Sequence, residues 1–130
     1  MAKEIITSSK APKAIGPYSV AVKTKDFVFT AGQLGINPES EDFVGDGIEE
    51  QTRQALINLE HVLEAAGVGL ANVVKTTVFL KNMGDFPRMN EVYAKFFPVD
   101  PPARSAIEVA ALPKGGLVEI EAVAFIPEEK

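Results

Sequence analysis

The 130-residue chain contains no cysteine, which excludes a disulfide framework, a thiolate nucleophile and a thiolate zinc site together. A reducing compartment suits such a chain. Histidine is nearly as scarce. With His61 alone, no multi-histidine metal centre can form and no histidine-based triad has a second residue to draw on. Cationic side chains are also in the minority, 13 against 18 acidic ones, for a net charge of -5. That balance repels phosphate backbones and anionic lipid surfaces, so nucleic acid is a disfavoured partner. No run of 18 apolar residues occurs, and the stretch Met1 to Thr7 has no apolar region of signal-peptide length; the expectation is a cytosolic protein. Glycines 32, 35, 45, 47, 67 and 69 form neither a phosphate loop nor a dinucleotide fingerprint, so neither a nucleotide cofactor nor a metal is expected.

What is present is an ordinary globular mixture, 46% hydrophobic and 24% charged, at the size of one domain spanning residues 1–130. Tyr18 to Val22 and Phe27 to Thr30 read as strands joined by a turn at residues 23–26. A helix is predicted from Ile48 to Ala66, capped by Asp46 or Gly47 and stopped by Gly67, with Ala55, Leu56, Leu59, Val62 and Leu63 on one apolar stripe. Its other side is polar and carries His61, read as a surface residue. Val73 to Leu80 is β-branched and reads as a strand. Asp85 then caps a second helix whose buried face is Phe86, Met89, Val92, Tyr93, Phe96 and Phe97. Arg104 to Val109 reads as extended, residues 112–116 as a turn, and Leu117 to Ile126 as the last long strand.

Two strand–helix–strand units on one sheet put both helices on one face if the strand order is of the split βαβ kind. This gives an α+β fold, a mixed sheet with one uncovered face. In the last strand Val118, Ile120, Ala122 and Ala124 alternate with Glu119, Glu121, Val123 and Phe125. Valine and phenylalanine on a face that lacks a covering helix predict that another subunit covers it.

The paired carboxylates Glu49–Glu50 and Glu128–Glu129 suit a helix start and a solvated chain end. Arg104, after Pro101-Pro102-Ala103, and Glu119, on the uncovered face, are more informative. A guanidinium offers a planar fork for a carboxylate, and a nearby carboxylate can hold a water and move its proton. The pair reads either as a small-acid site or as a cross-strand salt bridge. Tyr18 reads as a cleft residue or as an aromatic anchor after Gly16-Pro17, and Asn90 as a ligand contact or a partner for nearby backbone.

Six segments carry a resemblance across essentially the whole chain: Ala14 to Ser19, Ala31-Gly32-Gln33, Val74 to Leu80, Met89 to Tyr93, Pro102 to Ser105, and Val118 to Ala122. In this order and spacing the chain resembles the RidA (YjgF/YER057c/UK114) family. The resemblance implies a chorismate-mutase-like subunit assembled as a homotrimer, with clefts between subunits. It implies cofactor-free hydrolysis of reactive 2-imino acids or their enamine tautomers, such as 2-iminopropanoate and 2-iminobutanoate, to 2-oxo acids and ammonia. The family's carboxylate-binding arginine falls on Arg104 and its water-positioning glutamate on Glu119, with Tyr18 in the cleft. Substrate contacts fall on Gly32, Asn90 and Ala106, the last through its backbone amide where relatives often carry cysteine. Ala31 replaces a frequent serine. Two alternatives stand beside this: a non-catalytic binder or sensor of small 2-oxo acids that uses the same arginine without turnover, and the endoribonuclease or translation-inhibitor role described for other members of the resembled family.

Overall fold

The computed structural model describes residues 2–128; of the paired Glu128 and Glu129, the latter lies outside this range. The strands are β1 (Glu4–Ile6), β2 (Ala21–Lys23), β3 (Phe27–Thr30), β4 (Gln33–Leu34), β5 (Val73–Leu80), β6 (Ala103–Glu108) and β7 (Val118–Phe125). The helices are α1 (Ile48–Ala65), between β4 and β5, and α2 (Phe86–Phe96), between β5 and β6. One mixed sheet runs β1-β2-β3-β7-β5-β6, with β4 also beside β7. β7 is antiparallel to β3 and β4 on one side and to β5 on the other. β4 and β5 are therefore parallel to each other with β7 between them, a split βαβ unit around α1. β5 and β6 are directly paired and parallel, with α2 as their crossover.

Gly47 is the extended N-cap of α1, Glu49 and Glu50 occupy its first turn, and Gly67 at φ +86° marks where the chain leaves the helix. That φ is open to glycine at little cost. Ala55, Leu56, Leu59, Val62 and Leu63 are fully buried. The buried face is wider than the apolar stripe and includes Gln51, Thr52 and Asn58. Two of these polar side chains tie the helix to its surroundings. Gln51 Oε1 accepts from the Leu117 N–H at 2.9 Å, and Asn58 Nδ2 donates to the Leu34 and Ile36 carbonyls at 3.0 and 2.9 Å. Thr52 Oγ1 is buried with no partner among the described residues.

α2 starts after Asp85, has a proline in its first turn, and packs on α1. Both helices cover one sheet face, where Val28, Val78, Leu80, Val118, Ile120 and Ala124 are fully buried. The alternate residues of β3 and β7, Phe27, Phe29, Val123 and Phe125, register together on the other face, and the three phenylalanines are exposed. The α+β architecture with two helices on one face is thus as expected.

Two local expectations are corrected, and two short strands were not foreseen. The strand predicted from Tyr18 begins only at Ala21, because Gly16 at φ +130° and a Tyr18 N–H bond to the Gly16 carbonyl (2.9 Å) make residues 16–18 a turn. β1 and β4, of three and two residues, are too short to show alternation and escape sequence reading. His61 is not a free surface residue: it is half-buried beneath the N-terminal segment, its Nδ1 3.0 Å from the Lys10 carbonyl. No helix among the described residues is long and apolar enough to cross a membrane.

Candidate functional site

The strand alternation that buries Val118 and Ile120 under the helices turns Glu119 to the opposite face. There it registers with Leu34 of β4 on one side and Phe79 of β5 on the other. Gly32, at the bend between β3 and β4, lies against it. A Cβ built on Gly32 would stand 2.7 Å from the Glu119 carboxyl carbon, inside any real contact distance. With any larger residue at 32 the Glu119 side chain would have to leave this position.

Glu119 and Gly32 line a cavity of about 250 Å³ whose other walls include Tyr18, Ile15, Val20, Leu34, Ile36 and Pro113. Lys13 and Lys114 reach the same cavity, Lys114 from a left-handed turn position at φ +56°. Tyr18 is half exposed, and its hydroxyl accepts the Ile15 N–H at 3.3 Å. Burial among apolar walls pushes the Glu119 carboxyl above its ordinary value, and the neighbouring Glu121 charge adds to the rise.

Arg104 belongs to a second cluster. In β6 it registers with Thr76, whose side chain meets Tyr93 of α2, so Arg104 is on the helix-covered side of the sheet. Its guanidinium carbon stands 4.8 Å from the Tyr93 ring centre and 5.2 Å from that of Phe86. Its Nη1 donates to Asn90 Oδ1 at 2.7 Å. Ala106, two residues along β6 and on the same side, packs against the core.

The six residues singled out from sequence therefore fall into two groups, Tyr18, Gly32 and Glu119 on one side and Arg104, Asn90 and Ala106 on the other. Arg104 and Glu119 do not meet within one chain. The cross-strand salt bridge is absent too: among the described residues the ion pair is the exposed Arg88–Asp85 contact at 3.1 Å, and none involves Arg104. Asn90 satisfies the arginine and not nearby backbone. Sequence reading placed Phe86 and Tyr93 on the buried face of their helix but missed that they form the floor under Arg104. It also missed Leu34 and Ile36, since the brief β4 gives no period to read. Among the described residues no group of three or more histidine, aspartate or glutamate side chains is placed to hold a metal ion.

A half-buried arginine without a carboxylate partner is equipped to take an anion. A carboxyl of raised pKa beside an apolar cavity is equipped to accept a proton from water.

Comparison with known proteins gives a consistent picture. The family model described as Endoribonuclease L-PSP matches residues 8–126. A RutC family protein of Pyrococcus horikoshii is 53% identical over 123 residues, covering 95% of this chain and 98% of that protein. A human protein named 2-iminobutanoate/2-iminopropanoate deaminase is 48% identical over 123 residues, covering 95% and 90%. The crystal structure of Escherichia coli TdcF with bound serine is similar with a TM-score of 0.91 at 38% identity, covering 95% of this chain and 99% of that one.

Proposed function

Because the chain belongs to the RidA (YjgF/YER057c/UK114) family, represented by the Endoribonuclease L-PSP model, we propose that it hydrolyses small 2-imino acids, or their enamine tautomers, to 2-oxo acids and ammonia. The observation that carries this reading is Arg104: a permanently charged fork, half-buried and held by Asn90, with no protein carboxylate among the described residues to neutralise it. A ligand carboxylate is its natural complement. The names of the mammalian relatives, and the serine in the E. coli neighbour, are in keeping with a small α-substituted acid.

In the proposed reaction Arg104 grips the carboxylate and fixes the adjacent C=N group. Glu119 orients a water and takes its proton as the oxygen bonds to the imine carbon. That proton passes to the nitrogen to give the carbinolamine; Glu119 then takes the carbinolamine hydroxyl proton and delivers it to the amine nitrogen, so that the C–N bond breaks, ammonia leaves and the C=O bond forms. Raising the Glu119 pKa suits it to this work, because a more basic carboxylate is a better proton acceptor. Tyr18 closes the cavity mouth, and Gly32, Asn90 and the Ala106 amide complete the substrate contacts. The chemistry draws on positioning and proton transfer alone.

Since Arg104 and Glu119 lie on opposite faces of one sheet, the complete cleft is proposed to form between copies, the Arg104 side of one chain against the Glu119 side of the next. A homotrimer that buries Phe27, Phe29, Val123 and Phe125 supplies that arrangement. Ammonia release from freshly generated 2-iminobutanoate, with semicarbazide competing for the imine, tests the function. Release no faster than in buffer favours a 2-oxo acid sensor using the same arginine. The endoribonuclease reading has less support, because His61 faces the Lys10 segment and not the cavity, and the chain is acidic.

A further inference from the structure

An arginine has a long, flexible stem, and ordering it when ligand binds consumes part of the interaction energy. Arg104 escapes much of that loss, because its guanidinium is already placed in the free chain. Two aromatic rings of α2 flank it, Tyr93 at 4.8 Å and Phe86 at 5.2 Å, within the range where a ring face attracts a cation. The Tyr93 ring is fixed from two sides. The Tyr93 hydroxyl is engaged with buried Thr76 Oγ1 at 2.7 Å, and its ring is backed by Phe97 with centroids 4.7 Å apart. Asn90 holds one guanidinium nitrogen from the side, which fixes rotation about the plane.

We infer that Phe86 and Tyr93 are positioning residues that hold the Arg104 fork ready for a ligand carboxylate, with Phe86 the adjustable member and Tyr93 the fixed one. The inference rests on the reading of Arg104 as the carboxylate-binding group. Phe86 is half-buried at the first turn of α2, packed against the core on one side and facing Arg104 with its ring. The arrangement is specific for a planar cation. Lysine at 104 would find the rings but lose the fork, and leucine at 86 would keep the apolar contact but lose the charged ring face.

Calorimetric titration of the full chain with 2-oxobutanoate, the proposed product, tests this, with a melting curve for every variant. Phe86→Leu is expected to weaken binding about threefold to thirtyfold, the range a cation–π contact spans, with little change in melting temperature. Phe86→Tyr is expected to restore it. If Phe86→Leu binds like the parent while Arg104→Ala has lost binding, the positioning role is wrong and the carboxylate site stands. If the parent does not bind 2-oxobutanoate, or Arg104→Ala binds it equally well, the carboxylate reading falls and this inference with it.

Discussion

Gly32 and Glu119 are packed so closely that a methyl group on one would displace the carboxylate of the other, the built Cβ lying 2.7 Å from both Cγ and Cδ. Gly32→Ala should therefore swing Glu119 away from its cavity without emptying any core position. The expected result is at least about a tenfold loss of imine hydrolysis, since misplacing a proton-transfer group forfeits much of its 10²–10⁴-fold contribution. Melting should shift by only a few degrees. Activity within twofold of the parent would mean that Glu119 need not hold its present position.

Arg104 is expected to resist conservative exchange. Truncating one member of a desolvated charged hydrogen-bond pair typically costs about 2–5 kcal/mol, so Arg104→Ala should lower kcat/KM by at least about thirtyfold. Arg104→Lys should recover little of this, because an ammonium cannot present two parallel N–H groups. A destabilised but fully active Arg104→Ala protein would return this residue to a structural role.

The raised Glu119 pKa makes two pH predictions with a definite sign. Between the ordinary value of 4.5 and the raised one, the folded chain holds a proton that the unfolded chain has released. Stability therefore declines as pH rises through this window and is flat above it with respect to this group. Glu119→Gln should remove that decline and leave the variant relatively more stable at neutral pH. The acidic limb of kcat/KM, which reports the free protein's proton acceptor, should have its midpoint above 4.5. A midpoint at or below 4.5 would assign the limb to another group.

The architecture was legible where the chain repeats a period long enough to count. The eight residues of β5 and of β7 and the stripe of α1 stand where periodicity puts them, and α2 starts after Asp85 as expected, although the Asp85 carboxylate pairs with Arg88 and caps no helix N–H. Short elements left no such trace, and Gly16-Pro17-Tyr18 turned a predicted strand into a bend. Glu119 could be assigned to a sheet face from alternation alone. Arg104 could not, because β6 has no buried residue to set its phase: its side is fixed by contacts with α2, which no local pattern encodes. For the same reason sequence reading could pair Arg104 with Glu119 but could not tell that one chain carries them on opposite faces of its sheet.

The uncovered sheet face should govern assembly. Val123→Lys places a charge among Phe27, Phe29 and Phe125, where burial against another copy would leave it unpaired. Light scattering should return about three chain masses for the parent and a shift toward one for the variant, with far-UV dichroism unchanged. A parent that is monomeric at micromolar concentration would contradict the proposed cleft.

Buried polar groups on α1 should respond in opposite directions. Thr52→Val replaces an unpartnered hydroxyl with a methyl of like shape and should be neutral or stabilising by up to about 1 kcal/mol. Asn58→Ala strands the Leu34 and Ile36 carbonyls that frame the cavity and should cost about 1–3 kcal/mol. Urea melts of the two variants side by side provide the check.

The placement of Arg104 and Glu119 on opposite faces of one sheet has a bearing on dilution. A lone folded chain cannot offer both groups to one small molecule, so chemistry that needs both follows the number of apposed pairs and not the number of folded chains. Specific activity should fall on dilution through the association constant while the dichroism signal per chain stays constant. Two populations, one lacking Arg104 and the other Glu119, should regain activity on being unfolded and refolded together, since random apposition leaves about a quarter of the clefts with both groups intact.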